Sequence, residues 1–489
     1  MVLRLTATRR ALLAGATATG MLSAPFVARA ADAADDDDAD RLFADLDTRI
    51  ITGMQEFAIP GAAVGVFYRG RQYLRGYGVT SADGGTPVDP DTRFRIASTS
   101  KTFTGASVMR LVEAGRVSLE RRVDHYIDGF VAPPGAQSVT VRMVLNHSAG
   151  WLGYDYHDTG SDDGALARYV DDVRKLPQLT PVGTIYAYNN AALSVSGRIV
   201  ESVTGATYES AVGQFLLQPL GLSRSLFSET LPAGGNIALP HDYVDGKSVP
   251  APDNFYLPRS NNPFGGIIST ARDQLAYMRF LLRHGRADDG RRVLSPATLH
   301  TMWSNPGPGG TLFVELIGWG VSWMLRPTAE GITVVQHGGD LPGYHSGFMM
   351  VPERRFGITL LTNSDSGPDL LARLFIDDWA LRRFARVRNL PAVPQTLGAG
   401  ELAPYEGAYT AEQIGFTGPP ATLKLQMRAK DGALTMDRVG SGAPLIMLKF
   451  YKRDYVVDED NGLRANFLRD PDGSVAWFRL GGRLFRHVG

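Results

Sequence analysis

A serine and a lysine three positions apart, Ser98 and Lys101, have the clearest capacity for chemistry in this 489-residue sequence. Residues at this spacing share one face of a helix, so the hydroxyl and the amine can touch. A serine nucleophile needs a base, and a lysine can be that base only when burial or nearby positive charge lowers its pKa from ~10.4. The pair predicts nucleophilic catalysis by Ser98 with Lys101 as its base. The alternative is Ser98 as a helix N-cap with Lys101 in solvent.

Tyr188 and Asn190 form a second candidate group, directly before a helix predicted from Ala191. A phenol and an amine can share a proton when they lie close together, and an amide can orient both a lysine and a substrate carbonyl. The alternative is a core aromatic residue followed by an N-cap asparagine. Beside Ser98 and Lys101, the group favours a proton-transfer site.

A third group, His337, Gly338, Gly339 and Asp340, follows the predicted strand from Thr333 to Gln336. Two glycines at the end of a strand let a substrate backbone lie close to the chain. A backbone N–H just after them could form half of an oxyanion hole, with the N–H of the serine as the other half. The alternative is a glycine turn with a surface histidine. In either case we expect His337 to be only partly charged near neutral pH.

The elements that must position these groups are antiparallel strands separated by a long helical segment. Apolar runs at Ala62 to Tyr68 and Gln72 to Val79 predict a hairpin. Helical spacing occurs at Ala39 to Gln55, Phe103 to Ala114, Ala191 to Val203 and Arg272 to Leu282. Strand patterns return at Gly318 to Leu325, Thr333 to Gln336, Ser346 to Val351 and Phe356 to Thr362. Because no alternating βαβ units are visible, this order favours an α+β fold with an antiparallel sheet.

The carboxy-terminal part of the chain predicts a second, smaller domain. Residues 389–403 contain prolines and glycines without periodicity, which indicates a linker after a large domain of residues 39–388. Residues 404–489 contain short alternating strands separated by Asp431-Gly432, Pro471-Asp472-Gly473 and Gly481-Gly482. Closely spaced strands of this kind predict a small antiparallel β-barrel.

Residues 1–30 predict an export signal. Arg9-Arg10 before an apolar stretch resembles the twin-arginine signal, and Ala28-Arg29-Ala30 provides an A-x-A cleavage site. An acidic spacer, residues 31–38, follows. We therefore expect a bacterial protein that is exported, periplasmic or secreted, with no stable membrane anchor once the signal is removed.

Composition narrows the chemistry and the partners. Cysteine is absent, so thiolate catalysis and cysteine-ligated metals are excluded. Lys and Arg total 50, as do Asp and Glu, without a basic stripe, and this balance argues against a nucleic-acid partner. We expect no cofactor and no metal. A metallohydrolase built on His337, Asp340 and His345 is the alternative, but no His-x-His or His-x-x-x-His cluster accompanies them.

Ser98-x-x-Lys101, Tyr188-x-Asn190 and His337-Gly338-Gly339, in this order, resemble the three active-site motifs of the β-lactamase-related serine hydrolases. That family includes class C β-lactamases, D-alanyl-D-alanine carboxypeptidases, D-aminopeptidases and esterases, and the resemblance covers roughly Leu42 to Arg383. It implies a β-lactamase/transpeptidase-like fold, with an antiparallel sheet flanked by helices and an all-helical subdomain that carries the tyrosine. The predicted barrel resembles the lipocalin-like domain appended to several family members.

The resemblance also implies a role for each motif residue. Ser98 would attack a carbonyl and form an acyl-enzyme, while Lys101 and Tyr188 would move protons. The implied substrate-binding residues are Asn190, His337, Gly338, Gly339 and Asp340, with the Asp340 N–H joining the Ser98 N–H at the oxyanion. Whether Lys101 or Tyr188 is the acylation base stays open.

One departure from the family pattern affects the predicted substrate. β-Lactamases and many carboxypeptidases of this group carry Lys-Thr-Gly where this chain has His337-Gly338-Gly339, so the cation and hydroxyl that bind a substrate carboxylate are missing. This favours a peptidase, amidase or esterase acting on a small molecule or a peptide, with peptidoglycan as one source and D-amino acids as one constituent. Two alternatives stay open: a true β-lactamase or D-alanyl-D-alanine carboxypeptidase, and a non-catalytic penicillin- or cell-wall-binding protein of the same fold.

Overall fold

The computed structural model describes residues 24–231, 234–442 and 445–488. The described residues up to Asp47 form one compact unit, and those from Thr48 onward form a second, which contains both predicted globular domains. Helix α1, Ala24–Glu56, begins before the predicted start at Ala39 and includes the acidic spacer. The predicted twin-arginine segment lies outside the described residues. Over the described ranges, every helix is too short or too polar to cross a membrane.

An antiparallel sheet forms the centre of the large domain. The strands before the linker are β1 (Gly61–Tyr68), β2 (Arg71–Gly78), β3 (Phe94–Arg95), β4 (His241–Val244), β5 (Lys247–Pro250), β6 (Ile268–Ser269), β7 (Gly310–Leu312), β8 (Val314–Leu316), β9 (Gly318–Trp319), β10 (Met324–Pro327), β11 (Thr333–Leu341), β12 (Tyr344–Val351) and β13 (Phe356–Thr362). The sheet has the order β2-β1-β13-β12-β11-β10-β9, so the amino-terminal hairpin pairs with the late strands. β1, β12 and β13 are buried along their whole length, as expected for strands covered on both faces.

Helices cover both faces of this sheet and alternate with short strands in the segment between β2 and β7, and one further short helix lies in the predicted linker. They are α2 (Ser100–Glu113), α3 (Val141–Leu145), α4 (Ala165–Asp172), α5 (Asn190–Thr204), α6 (Tyr208–Val212), α7 (Asn262–Gly265), α8 (Ala271–Leu282), α9 (Pro296–Ser304), α10 (Gly367–Leu371) and α11 (Ala399–Leu402). Helix α8 packs on one face, where a Cβ added to Gly65 would lie 3.1 Å from Ala271 O. Helix α10 packs on the other face, where a Cβ added to Gly347 would lie 2.9 Å from Leu371 Cδ2. The predicted α+β arrangement is confirmed.

The carboxy-terminal strands form a closed antiparallel barrel, which confirms the predicted small β-domain. Its strands are β14 (Gly407–Gln413), β15 (Ala421–Lys430), β16 (Ala433–Arg438), β17 (Ile446–Lys452), β18 (Tyr455–Asp458), β19 (Arg464–Arg469), β20 (Val475–Leu480) and β21 (Arg483–Val488). Buried side chains that include Tyr409, Phe450, Phe467 and Phe478 form one cluster. The aromatic cluster gives the barrel a packed core of its own.

Two strand boundaries differ from the sequence prediction. Strand β11 continues through Leu341, so the two glycines after His337 lie inside the strand and not at its end. The single strand predicted from Gly318 to Leu325 is instead two short strands, β9 and β10, which pair with each other. Ser322 between them has φ of 59°, a left-handed conformation that reverses the chain.

Candidate active site

Ser98 lies in a single 3-10 turn, Ala97–Thr99, between β3 and α2. Ala97 has φ of 47°, a conformation that strains a residue with a side chain and is typical of positions held by their surroundings. Ser346 of β12 holds the turn by donating to Ile96 O at 2.7 Å. Gly339 lets β11 pass beside it, because a Cβ at that position would lie 2.2 Å from Ile96 O. The sheet therefore fixes the backbone that presents the serine.

Lys101 lies one turn further on and meets the requirement for a base. Its Nζ is 2.8 Å from Ser98 Oγ and donates to Phe264 O at 2.9 Å. The side chain is fully buried, and burial holds the pKa of Lys101 well below its ordinary value. Among the described residues, no carboxylate forms an ion pair with it. Burial therefore favours the neutral amine beside the serine hydroxyl, and the alternative of a solvated lysine is wrong.

Tyr188 brings a phenol to the same hydroxyl. The N-cap of α5 is Asn189, whose side chain accepts from Ala192 N at 2.8 Å. Tyr188 therefore lies just before the helix, and its backbone takes no part in the helical hydrogen bonds. Its hydroxyl forms a hydrogen bond with Ser98 that lowers its pKa, but burial has the larger effect and raises that pKa well above the ordinary value. The phenol therefore stays protonated beside the neutral amine, whose Nζ lies 4.9 Å from the ring centroid of Tyr188.

Asn190 is the first residue of α5 and lines the cavity in front of Ser98. Its Nδ2 donates to the Tyr156 hydroxyl at 3.0 Å. Its Oδ1 is buried and has no hydrogen-bond partner among the described residues. Because an unpaired buried acceptor costs free energy, this oxygen is suited to accept from a substrate N–H.

His337 is buried on β11, so the prediction of a partly charged histidine is wrong, as is the alternative of a surface histidine. Burial, together with any positive charge on Lys101, lowers the pKa of His337 to about 3. Its Nδ1 donates to Gly338 O at 2.7 Å, which leaves Nε2 as an acceptor. Among the described residues, Nε2 has no partner. The third motif therefore supplies no cation at neutral pH.

Gly338, Gly339 and Asp340 continue along β11 and also line the cavity. Within the described residues, β10 pairs with β11 only from Thr333 to Gln336, so the part of the strand after Gln336 is open on that side. The side chain of Asp340 is 85% exposed and lies 3.2 Å from His345 Nδ1. An open strand beside a nucleophile can pair with an extended substrate.

The residues predicted from the three motifs converge on one cavity of about 400 Å³. It is lined by Ser98, Tyr188, Asn190, His337, Gly338, Gly339 and Asp340, while Lys101 lies beneath Ser98. Over the described residues, the lining contains no lysine and no arginine. No group of three or more His, Asp or Glu side chains suited to a metal ion was found in the part of the chain that the structure describes.

His147 is a neighbour of the site to which sequence analysis assigned no role. Its ring stacks on Tyr188 with 4.5 Å between centroids and meets Trp319 edge-on at 4.2 Å. Its Nδ1 accepts from Asn189 N at 2.9 Å. Burial holds the pKa of His147 well below its ordinary value, so the ring is neutral. The stretch around it, Leu145 to Gly150, is similar to a landmark of the β-lactamase-related hydrolases, and this similarity is the signal in the sequence that could have drawn attention to His147.

The barrel also contributes residues to the same site. Gly482, in the turn between β20 and β21, accepts from Tyr188 N at 2.8 Å. Gly481 in the same turn accepts from the Tyr154 hydroxyl at 3.1 Å and lines the cavity. Asn461 and Leu463, between β18 and β19, line it as well. The sequence indicated Gly481 and Gly482 only as turn residues between two strands.

Comparison with known proteins agrees with this geometry. A sequence profile of the β-lactamase family matches residues 46–380. The chain belongs to the β-lactamase family. It is 33% identical over 367 residues to penicillin-binding protein 4 of Amycolatopsis lactamdurans, an alignment that covers 73% of this chain and 94% of that protein.

Two further relatives extend the comparison beyond the large domain. An unguisins hydrolase of Aspergillus violaceofuscus is 27% identical over 466 residues, which cover 83% of this chain and 80% of that protein. The solved structure of a penicillin-binding protein homologue from Pyrococcus abyssi has a TM-score of 0.61 at 23% identity and covers 88% of this chain and 96% of its own. At that identity, the likeness shows the shared fold alone.

Proposed function

We propose that this protein is an exported serine hydrolase that forms an acyl-enzyme at Ser98 and acts on an amide, peptide or ester. The observation that carries the proposal is the 2.8 Å contact between Ser98 Oγ and the Nζ of the fully buried Lys101. Burial without an ion pair favours a neutral amine, and a neutral amine can remove the serine proton during attack on a carbonyl.

The pKa values of Lys101 and Tyr188 shift in opposite directions, and we use these directions to assign the proton transfers. Burial lowers the pKa of Lys101, which favours the unprotonated amine that a base must be, and raises that of Tyr188, which keeps the phenol protonated. In our proposal Lys101 takes the proton of Ser98, and Tyr188 passes a proton to the leaving group and is reprotonated from the Lys101 ammonium, so that one proton moves from the serine to the leaving group. Asn190 Oδ1 accepts from a substrate N–H, and the N–H groups of Ser98 and Asp340 stabilise the oxyanion.

The cavity favours a substrate without a carboxylate beside the cleaved bond. Its described lining has neither lysine nor arginine, and His337 is neutral because burial lowers its pKa to about 3. A penicillin carboxylate would therefore lose water without gaining a cation. The second candidate is β-lactamase or D-alanyl-D-alanine carboxypeptidase activity, and the similarity to a penicillin-binding protein supports it only so far as it favours penicillin binding.

Covalent labelling tests the proposal directly. Incubation with a small fluorophosphonate, read by intact mass, should add one phosphonyl group to the protein and none to the Ser98→Ala variant. An unlabelled protein would favour the alternative of a non-catalytic binding protein. If labelling occurs, fresh protein that has not met the probe should then be tested against a penicillin, short esters, and amides and peptides that include D-amino acids. Efficient penicillin turnover that depends on Ser98 would favour the second candidate.

Export rests on the predicted signal and is a separate part of the proposal. Expression with the native amino terminus should yield mature protein that begins near Ala31, outside the cytoplasm. Replacing Arg9-Arg10 by two lysines should retain the precursor, since the twin-arginine pathway reads that pair. Export that survives this change would contradict the assignment to this pathway.

A further inference from the structure

The cavity in front of Ser98 continues to the opposite face of the sheet. Side chains alternate along a strand, and Gly339 faces Ile96 beside the nucleophile, so Gly338 faces the other side. On β12, Gly347 is the direct partner of Gly338 and faces Leu371 and Phe375. All four of these rear-facing residues, Gly338, Gly347, Leu371 and Phe375, line the same cavity as Ser98. We call this part of the cavity the rear pocket.

The rear pocket has open space above Gly338. A Cβ added there would meet only Ser346 O, at 3.4 Å, and nothing else within 4 Å. At its partner Gly347, by contrast, an added Cβ would come within 2.8 Å of Phe375 Cε2. Phe375 and Leu371 therefore cover Gly347 and leave Gly338 uncovered. The uncovered space is an apolar recess next to the open part of β11.

The charges at the rim of this recess are acidic. Asp340 and Asp369 both line the cavity, and so does His345, which lies between Asp340 and Asp365, 3.2 Å and 3.8 Å from their oxygens. Burial opposes protonation of His345, but hydrogen bonds to these two carboxylates raise its pKa, so a positive charge on this ring is already paired with two acids. The described lining offers no lysine or arginine to an anion. An anionic group would meet repulsion at this rim, whereas an aliphatic group would gain burial.

We propose that the rear pocket is a subsite for an aliphatic, non-anionic group of the substrate. The proposal rests on the proposed hydrolase function, since the substrate must reach Ser98 at the same time. An extended substrate that pairs with the open part of β11 directs alternate side groups to the two faces of the sheet. One group then lies near Ser98 and its neighbour enters the recess between Gly338, Leu371 and Phe375.

Two ester series test the subsite on the full chain. One contains p-nitrophenyl esters whose acyl chain grows from acetate to octanoate, and the other contains acetate esters whose alcohol grows over the same range. We expect kcat/KM to rise by about fourfold per methylene over the first steps of one series, the increment for burying a CH2 group. The series that responds identifies the side of the cleaved bond that occupies the pocket. A flat response in both series would overturn the proposal.

Variants locate the effect in the rear pocket. Leu371→Ala removes part of the wall and should lower the ratio of kcat/KM for hexanoate over acetate, or for the corresponding alcohols, by about fivefold. Gly338→Ala occupies the open space and should lower the ratio most for the longest chain. Leu217→Ala is the matched control, because Leu217 is also partly buried but lies outside the cavity lining, and its ratio should equal that of the wild type.

The outcomes separate this proposal from the proposed function. Labelling of Ser98 by the small fluorophosphonate requires only the nucleophile and its base. If Ser98 is labelled but chain length has no effect, or if Leu217→Ala changes the ratio as much as Leu371→Ala, the subsite is wrong and the hydrolase stands. If Ser98 is not labelled, the hydrolase itself is wrong. Chain-length selectivity in the wild type does not depend on the folding of any variant.

Discussion

The turn that joins β20 to β21 in the barrel should position the catalytic phenol. Gly482 has φ of 80°, and its carbonyl accepts from Tyr188 N at 2.8 Å. A Cβ at this residue would lie 2.8 Å from Tyr188 Cβ and 2.7 Å from Leu312 Cδ1. The Gly482→Ala substitution therefore introduces a methyl group against the base of the Tyr188 side chain, whose hydroxyl hydrogen-bonds to Ser98.

The size of the effect follows from these distances. Non-bonded carbons need more than 3.4 Å, so Tyr188 or the turn must move by roughly 0.6 Å or more. A misplacement of about 1 Å at a reacting group can cost about 100-fold in rate, and tenfold corresponds to about 1.4 kcal/mol. We expect the rate of Ser98 labelling to fall by about 10-fold to 100-fold. The left-handed conformation adds about 1–2 kcal/mol of destabilisation for any residue with a side chain.

A matched variant isolates the positioning effect from that backbone cost. Gly473, in the turn between β19 and β20, has φ of 87°, and a Cβ there would meet nothing within 4 Å. Gly473→Ala should therefore lose stability in a thermal melt but label at the wild-type rate. Rates are measured as pseudo-first-order labelling by the fluorophosphonate, followed by intact mass at a temperature where both variants are folded.

The labelling rates distinguish positioning of Tyr188 from general destabilisation of the barrel. If Gly482→Ala labels as fast as Gly473→Ala, the turn does not position Tyr188 and the reasoning is wrong. If both variants slow equally, the loss reflects general destabilisation of the barrel. A fall in kcat of Gly482→Ala on an ester, with KM unchanged, would further indicate that the contact acts on the chemical step.

Three further predictions concern titration and the barrel. Because burial lowers the pKa of Lys101, the labelling rate should rise with pH to a midpoint well below ~10.4, and Lys101→Arg should abolish it since guanidinium stays charged; a midpoint near the ordinary value would contradict a buried neutral base. His337 has a folded pKa of about 3, below the ~6.5 of the unfolded chain, so the unfolded state takes up the proton as pH falls. The free energy of unfolding from denaturant titrations should therefore decline below pH ~6.5, by up to about 1.4 kcal/mol per pH unit, and less steeply in His337→Gln; equal slopes would refute the assignment. Glu315→Gln should cost about 3 kcal/mol in free energy of unfolding, because it leaves Arg464, 8% exposed and 2.9 Å from Glu315, without its partner. The exposed carboxylate in Glu459→Gln is its control and should cost less than about 1 kcal/mol.

Local patterns in the sequence were enough to predict the reactive residues. The contact between Ser98 and Lys101 depends on three-residue spacing at the start of a helix, which is set by local geometry. Tyr188-x-Asn190 and His337-Gly338-Gly339 were assigned by their match to a family, and they line the same cavity as Ser98. The closed barrel was predictable because alternating strands and turn residues are also local signals.

The protonation states of the site residues and the walls of the cavity could be described only from the tertiary structure. A sequence cannot indicate how deeply His337 is buried, and burial is what makes the ring neutral. It also cannot show that Gly482 meets Tyr188, since that contact joins residues almost 300 positions apart through the docking of the barrel. The sequence by itself determined which groups could react, because reactivity belongs to residue types at short spacing. Only the tertiary structure decided their protonation and the shape of the space around them, because desolvation and packing depend on every neighbour.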